Sequence, residues 1–227
     1  MQMEVEQFAE QLIGGLTEDC WSTIVRFMDA GCNSLFIYEQ LITPAMRYIG
    51  TLWEQNLLTV AEEHLASGIC DFLLTRYRSV KNCQPFNGKK AMFFCLEGET
   101  HYLGLKMVAA LFEEYGWNVR NYGASLPLEY ACIGGNNWKP DLIGVSVSIV
   151  YHLPKLKEYT DVLAKLPHQP TILVGGRLVG RYDMSQLIPR ENTLAVADLV
   201  QLNEWLAWES GERRHQTSMG HNQYVRS

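Results

Sequence analysis

Residues 91–104 read AMFFCLEGETHYLG. Ala91 to Leu96 is an unbroken apolar run, the length of a strand buried on both faces. The next residues, 97–102, are polar and include Gly98, and from 103 to 115 apolar residues return at helical spacing. Strand, loop and helix in that order open a parallel β–α unit. The alternation continues downstream. Strand signals at 117–122, 141–149, 171–174 and 194–196 are separated by helical patterns at 126–133, at 153–166 and in a last helix to Trp208. Such alternation requires crossover connections. The fold class expected for residues 90–208 is therefore α/β, a doubly wound, Rossmann-like parallel sheet.

Upstream the period changes. Leu35, Phe36, Tyr38, Leu41, Ile42, Ala45, Met46 and Ile49 recur at three and four, as one stripe of an amphipathic helix. Leu57, Val60, Ala61, Leu65, Ile69, Phe72 and Leu73 repeat the pattern. Two shorter patterns, at 5–16 and 20–30, complete a four-helix bundle over residues 1–79, with Thr17, Glu18 and Asp19 as cap signals. Residues 80–89 are polar, contain Pro85 and Gly88, and form the expected linker. Residues 209–227 are polar and aperiodic, a tail expected to be mobile.

Composition bounds the function. The 227 residues carry 19 basic and 25 acidic side chains, a net of −6. Direct duplex binding, which usually needs a basic face, is not expected. Residues 1–79 hold 4 basic and 11 acidic groups, so the helical part carries −7 and the remainder +1. No stretch approaches the roughly 18–20 apolar residues of a membrane span, and the acidic N-terminus lacks the flank of a signal peptide. A cytoplasmic protein is expected. Cys20, Cys32, Cys70, Cys83, Cys95 and Cys132 have no metal-binding spacing and are read as reduced packing residues.

In a doubly wound sheet, ligands sit beyond the carboxyl ends of the strands. Glu99, Thr100, His101 and Gly104 occupy that place after the first strand. In an extended loop, residues two apart share a side. Glu99 can then accept a hydrogen bond from the Nδ1–H of His101 and leave Nε2 free for a metal. Taken alone, the pair reads more readily as a loop histidine at the helix start making an ordinary hydrogen bond.

The downstream spacing alters that weighting. Glu99-x-His101-x-x-Gly104 is followed by 41 residues, then Ser146-Val147-Ser148, then 26 residues, then Gly175-Gly176. This constellation resembles the base-off, histidine-on cobalamin-binding domain, whose three short motifs stand at similar separations. The resemblance implies that His101 is the lower axial ligand of cobalt. It also implies that Ser146 and Ser148 offer hydroxyls to the displaced nucleotide tail, and that Gly175 and Gly176 let backbone approach the cofactor. Glu99 stands where most of the family has Asp, and Ser148 where it has Leu.

Within the helical part, Trp53 is followed after nine residues by Glu63-His64. This is similar to the cap of stand-alone adenosylcobalamin photoreceptors, light-dependent regulators, antirepressors and photocobilins. By that likeness Trp53 covers the upper axial group, Val60 lines the pocket, Glu63 bonds the adenosyl ribose, and His64 helps fix the geometry. In the best-known members a histidine directly after the Trp becomes a second axial ligand in the light. Here that residue is Glu54, a poor ligand beside a neutral imidazole. His152, His168, His215 and His221 match no cobalamin motif.

The resemblance implies a non-enzymatic sensor. Light breaks the cobalt–carbon bond, the bundle changes, and a protein partner or a second copy of the chain reads the change, without a DNA-binding domain. Photocobilins add a bilin such as biliverdin, which need not be covalently bound. The alternative is a corrinoid methyl carrier of a methyltransferase system, which would have to expose its upper face. A B12 trafficking module is a further reading, and a mutase would need a barrel that is not legible here.

Overall fold

A computed structural model describes residues 1–185, 187–188 and 191–211. The tail beyond residue 211, with His215 and His221, lies outside the described residues. The chain begins with helices α1 (Gln2–Ile13) and α2 (Thr17–Asp29). A third rod follows as α3 (Ser34–Phe36), a π-helical segment (Ile37–Ile42) and α4 (Thr43–Glu54), and then comes α5 (Val60–Val80).

The α/β part runs β1 (Lys90–Cys95), α6 (Leu103–Glu114), β2 (Asn118–Asn121), α7 (Leu128–Trp138), β3 (Leu142–Ser146), a 3-10 turn (Val150–His152) and α8 (Leu153–Leu163). It ends with β4 (Thr171–Gly175), β5 (Thr193–Ala195) and α9 (Leu199–Glu209). The sheet has five parallel strands in the order β2-β1-β3-β4-β5. The expected fold class is the observed one. Among the described residues no helix is long and apolar enough to cross a membrane.

Each side of the sheet is buried, which explains the unbroken apolar run of β1. Ala91, Phe93 and Cys95 face one core and Met92, Phe94 and Leu96 the other, at a strand's two-residue period. The first core is continuous with the helical bundle: Phe8, Leu12, Ile24, Tyr38, Leu73 and Tyr77 join Phe93, Phe112 and Leu202 in it. Gly144 leaves room for the Phe93 ring, because a Cβ there would stand 2.3 Å from it.

Polar ties cross the same boundary. Lys106 Nζ donates to Asp71 Oδ1 at 2.5 Å and to Thr75 Oγ1 at 2.7 Å. Arg78 pairs with Glu113, and Leu199 N donates to Glu39 Oε1 at 3.0 Å.

Several local expectations shift. Thr17, Glu18 and Asp19 are not caps: α2 starts at Thr17, and the two acids lie in its first turn, where carboxylates favour the helix dipole. α5 starts at Val60 because Thr59 and Glu62 form a reciprocal capping box. Leu57 therefore precedes the helix. The buried face of α5 is Ala66, Ile69, Cys70, Leu73, Leu74 and Tyr77, and Leu57, Val60, Leu65 and Phe72 are exposed. The third rod contains a π segment that a 3.6-residue period does not reveal. Helix α7 runs on through Gly134 and Gly135 to Trp138, and the glycine at 135 leaves room for the Leu166 side chain, which would stand 2.8 Å from a Cβ there. β3 stops at Ser146 although Val147, Ile149 and Val150 extend the apolar run, for a reason that lies in the site.

Candidate cofactor site

The register explains the motif spacing. Cys95 pairs with Ser146, and Ser146 with Gly175, so the loops after β1, β3 and β4 leave the sheet side by side. Strand order reverses between β1 and β3, the topological switch point where open α/β sheets bind ligands.

Glu99 is the centre of this edge and is wholly buried. Its backbone is set by Glu99 N donating to Leu96 O at 2.8 Å and Ser125 N donating to Glu99 O at 3.0 Å. Oε1 accepts from the backbone N–H of His101 at 3.0 Å and from its ring Nδ1 at 2.5 Å. Oε2 accepts from Ser148 N at 2.8 Å and Ile149 N at 3.1 Å. The β3 run leaves the ladder here because these two N–H groups turn to the carboxylate.

Burial by itself raises the Glu99 pKa. The bonds from the His101 ring and from the His101 and Ser148 backbone outweigh it and hold the carboxyl at about 2 instead of 4.5. Glu99 is thus ionised at neutral pH, so the proton of the Glu99–His101 bond sits on Nδ1. In the neutral ring that leaves the lone pair on Nε2. The His101 side chain is 45% exposed, and no hydrogen bond engages Nε2 among the described residues.

Among the described residues no group of three or more His, Cys, Asp or Glu is placed to hold a metal ion. A metal at His101 must bring its other ligands with it, as a corrin does. Gly104 is a second sign of fit. It lies in the first turn of α6 with no positive φ, and a Cβ there would meet nothing within 4 Å. No protein packing calls for glycine at this position, and the space beside it is open to a ligand.

The other expected residues take distinct places. Thr100 is exposed between Glu99 and His101. Ser146 is 6% exposed, while Ser148 is part-buried and touches Glu99 through its backbone. A Cβ on Gly175 would have only Val196 O near it, at 3.9 Å. Gly176, at φ +113, is required by the protein itself, since a Cβ would stand 2.1 Å from Val147 O.

In the helical part Trp53 is 46% and Val60 56% exposed, and with Glu54, Leu57 and Leu58 they line an open concavity of about 700 Å³. Glu63 Oε2 meets His64 Nδ1 at 2.8 Å, and Glu63 Oε1 accepts from Ser67 Oγ at 2.7 Å. Ser67 was not legible as a partner, though its i+4 spacing from Glu63 places it one helical turn on. His152, which matches no cobalamin motif, nevertheless reaches this edge. Its Nδ1 lies 3.5 Å from Glu99 Oε2, and its place after the third strand was the available signal.

The chain is similar to known proteins along both parts. It is 26% identical over 152 residues to the HTH-type transcriptional repressor CarH of Myxococcus xanthus, across 65% of this chain and 49% of the repressor. The chain thus spans about half the length of that relative. It is 20% identical over 184 residues to dimethylamine corrinoid protein 1 of Methanosarcina acetivorans, across 77% of this chain and 85% of that protein. Its fold matches the monomethylamine corrinoid protein of Methanosarcina barkeri with a TM-score of 0.71, over 90% of this chain and 97% of that one, at 15% identity. Family models, each described as a B12 binding domain, match residues 4–76 and 89–201, and the chain belongs to the cobalamin-binding family.

Proposed function

We propose that the chain is a light sensor that binds adenosylcobalamin base-off, with His101 on cobalt, between a cap of residues 1–79 and an α/β domain of residues 90–208. When bound, this cofactor supplies a cobalt–carbon bond that green or near-ultraviolet light breaks. The observation that carries the reading is the half-exposed Trp53 beside exposed Val60 on one concavity. Exposed Trp53, Leu57 and Val60 lie together on that surface, a contiguous apolar patch of the kind that takes a bulky ligand.

In this reading Glu99 orients His101 and keeps Nε2 available. Gly104, Ser146, Ser148, Gly175 and Gly176 receive the nucleotide tail, and Thr100 flanks it. Glu63, fixed by His64 and Ser67, accepts a ribose hydroxyl with its remaining lone pairs. Trp53 and the start of α5 would repack once no bulky group lies under them, and the altered bundle surface would signal to a protein partner or a second copy of the chain. That is a packing change with a two-state readout. Control of transcription in the cytoplasm would then run through that partner.

The alternative is a corrinoid methyl carrier, favoured by the 85% coverage of dimethylamine corrinoid protein 1. A carrier must leave its upper face open to enzymes, and a Trp cover works against that. The test is an absorption spectrum with adenosylcobalamin and with methylcobalamin, dark and after green light. A photolysed adenosyl form with a change in elution volume is the expected result. Binding of methylcobalamin but not adenosylcobalamin would transfer the assignment to the carrier. Added biliverdin giving a red-absorbing species is the sign of a second pigment, and an unchanged spectrum removes it.

A further inference from the structure

Strand β2 is an edge of the sheet and pairs with β1 alone. Asn118 N donates to Lys89 O at 2.9 Å and Tyr122 N to Phe93 O at 2.8 Å, so the even-numbered residues spend their backbone groups on β1. A parallel ladder alternates, and Val119 and Asn121 therefore turn their N–H and C=O groups to the open edge. Arg120 and Tyr122 share the face that α7 covers. The Arg120 guanidinium stands 4.5 Å over the Trp138 ring, and a Cβ on Gly134 would lie 3.3 Å from the Tyr122 hydroxyl oxygen. Tyr130, one helical turn before Gly134, is exposed, as are Ile133 and Tyr122. The open edge is thus bordered by aromatic and apolar side chains.

Its charge is positive. Among the described residues, the side chains of Arg120 and Lys139, both exposed, make no ion pair and no hydrogen bond. Lys90 Nζ lies 5.6 Å from the same Trp138 ring and donates to Trp138 O at 2.8 Å. The carboxylate beside them is Asp141, whose Oδ2 accepts from Lys90 N at 2.8 Å. Three cations there face one acid.

We propose that this edge is a docking surface for an acidic, extended segment of a partner protein, which adds to β2 as a further strand. The outward backbone groups of Val119 and Asn121 supply the hydrogen bonds, which give strand addition its affinity. Alternate side chains of the incoming strand fall on the α7 side, against Tyr122 and Tyr130, a residue type that anchors interfaces. Free Arg120 and Lys139 take the carboxylates of the segment, so charge selects an acidic partner and repels a basic one. The surface does not depend on which corrinoid the chain binds.

The probes are a short synthetic peptide alternating valine and glutamate and its counterpart with lysine for glutamate, each titrated into the ¹⁵N-labelled full chain without cofactor. The acidic peptide is expected to shift the amide NMR signals of Val119 and Asn121 and to slow their hydrogen exchange, while the lysine peptide leaves them in place. Arg120→Glu combined with Lys139→Glu should weaken binding of the acidic peptide by about tenfold or more. Asn121→Pro removes an outward N–H without touching the bonds to β1, and should abolish the response. Unmoved Val119 and Asn121 signals, an equal response to the lysine peptide, or an undiminished response in either variant overturns the proposal. A stronger response of these amides to a single-stranded oligonucleotide than to the acidic peptide assigns the face to nucleic acid and overturns it too. A dimer in sedimentation that Arg120→Glu dissociates gives the edge to a second copy of the chain, with the same consequence. If Asn121→Pro does not fold, the two peptides on wild type and the charge variant decide.

Discussion

The wholly buried carboxylate of Glu99 holds the ring of His101 at 2.5 Å and, on its other oxygen, the backbone N–H groups of Ser148 and Ile149. One side chain therefore aligns the proposed axial ligand and pins the neighbouring loop of the sheet. Glu99→Ala leaves those N–H groups without a partner and is expected to destabilise the chain by roughly 2–4 kcal/mol. It should also weaken cobalamin binding by about 10–100-fold through loss of ring orientation. Urea unfolding and a cofactor titration measure the two effects.

The same carboxylate gives a pH signature. Its folded pKa of about 2 lies below its ordinary 4.5. The stability it contributes is therefore fully present above pH 4.5 and is lost as the pH falls toward 2. Glu99→Gln lacks this contribution, so the stability gap between wild type and variant should be widest above pH 5 and narrow steadily below 4. Denaturant midpoints at a series of pH values, without cofactor, read the gap directly.

Two glycines should respond with opposite sign. Gly176→Ala forces a Cβ onto Val147 O at positive φ and is expected to cost about 3 kcal/mol or more. Gly104→Ala meets nothing in the protein and should stabilise it by about 0.5 kcal/mol. Yet its methyl enters the space assigned to the ligand, and cobalamin affinity should fall by about tenfold. Thermal unfolding of the cofactor-free variants and binding titrations separate the two.

Trp53 should behave as a cover and not as core. Because it is half exposed, Trp53→Ala should change stability without cofactor by less than about 1 kcal/mol. It should at the same time increase loss of adenosylcobalamin in the dark, measured by dialysis and absorbance.

Cysteine reactivity checks the packing. Burial pushes Cys20, Cys70 and Cys95 up to about 12, and Cys83 is exposed. Cys83 should be alkylated first at pH 8, with the three buried thiols protected until the chain unfolds.

Much of this was legible because strand length and crossover spacing are linked. The 41- and 26-residue gaps return Ser146 and Gly175 to the level of Cys95, and an apolar run between polar loops locates each strand. What escaped depends on backbone donors or on contacts distant in sequence. Ser148 and Ile149 serve Glu99 through N–H groups that carry no residue signature. His152 reaches Glu99 from 53 positions away, and only the fold brings them together. The exposed face of α5 is equally invisible to periodicity, since an exposed apolar stripe and a core stripe share one spacing.

The most direct measurement of the central claim is the absorption spectrum of the protein with adenosylcobalamin, compared with His101→Ala. The expected result is a base-off, histidine-on spectrum in wild type that His101→Ala abolishes, with green light converting the wild-type form irreversibly. A wild type that binds no cobalamin, or a His101→Ala variant with an unchanged spectrum, would contradict the account.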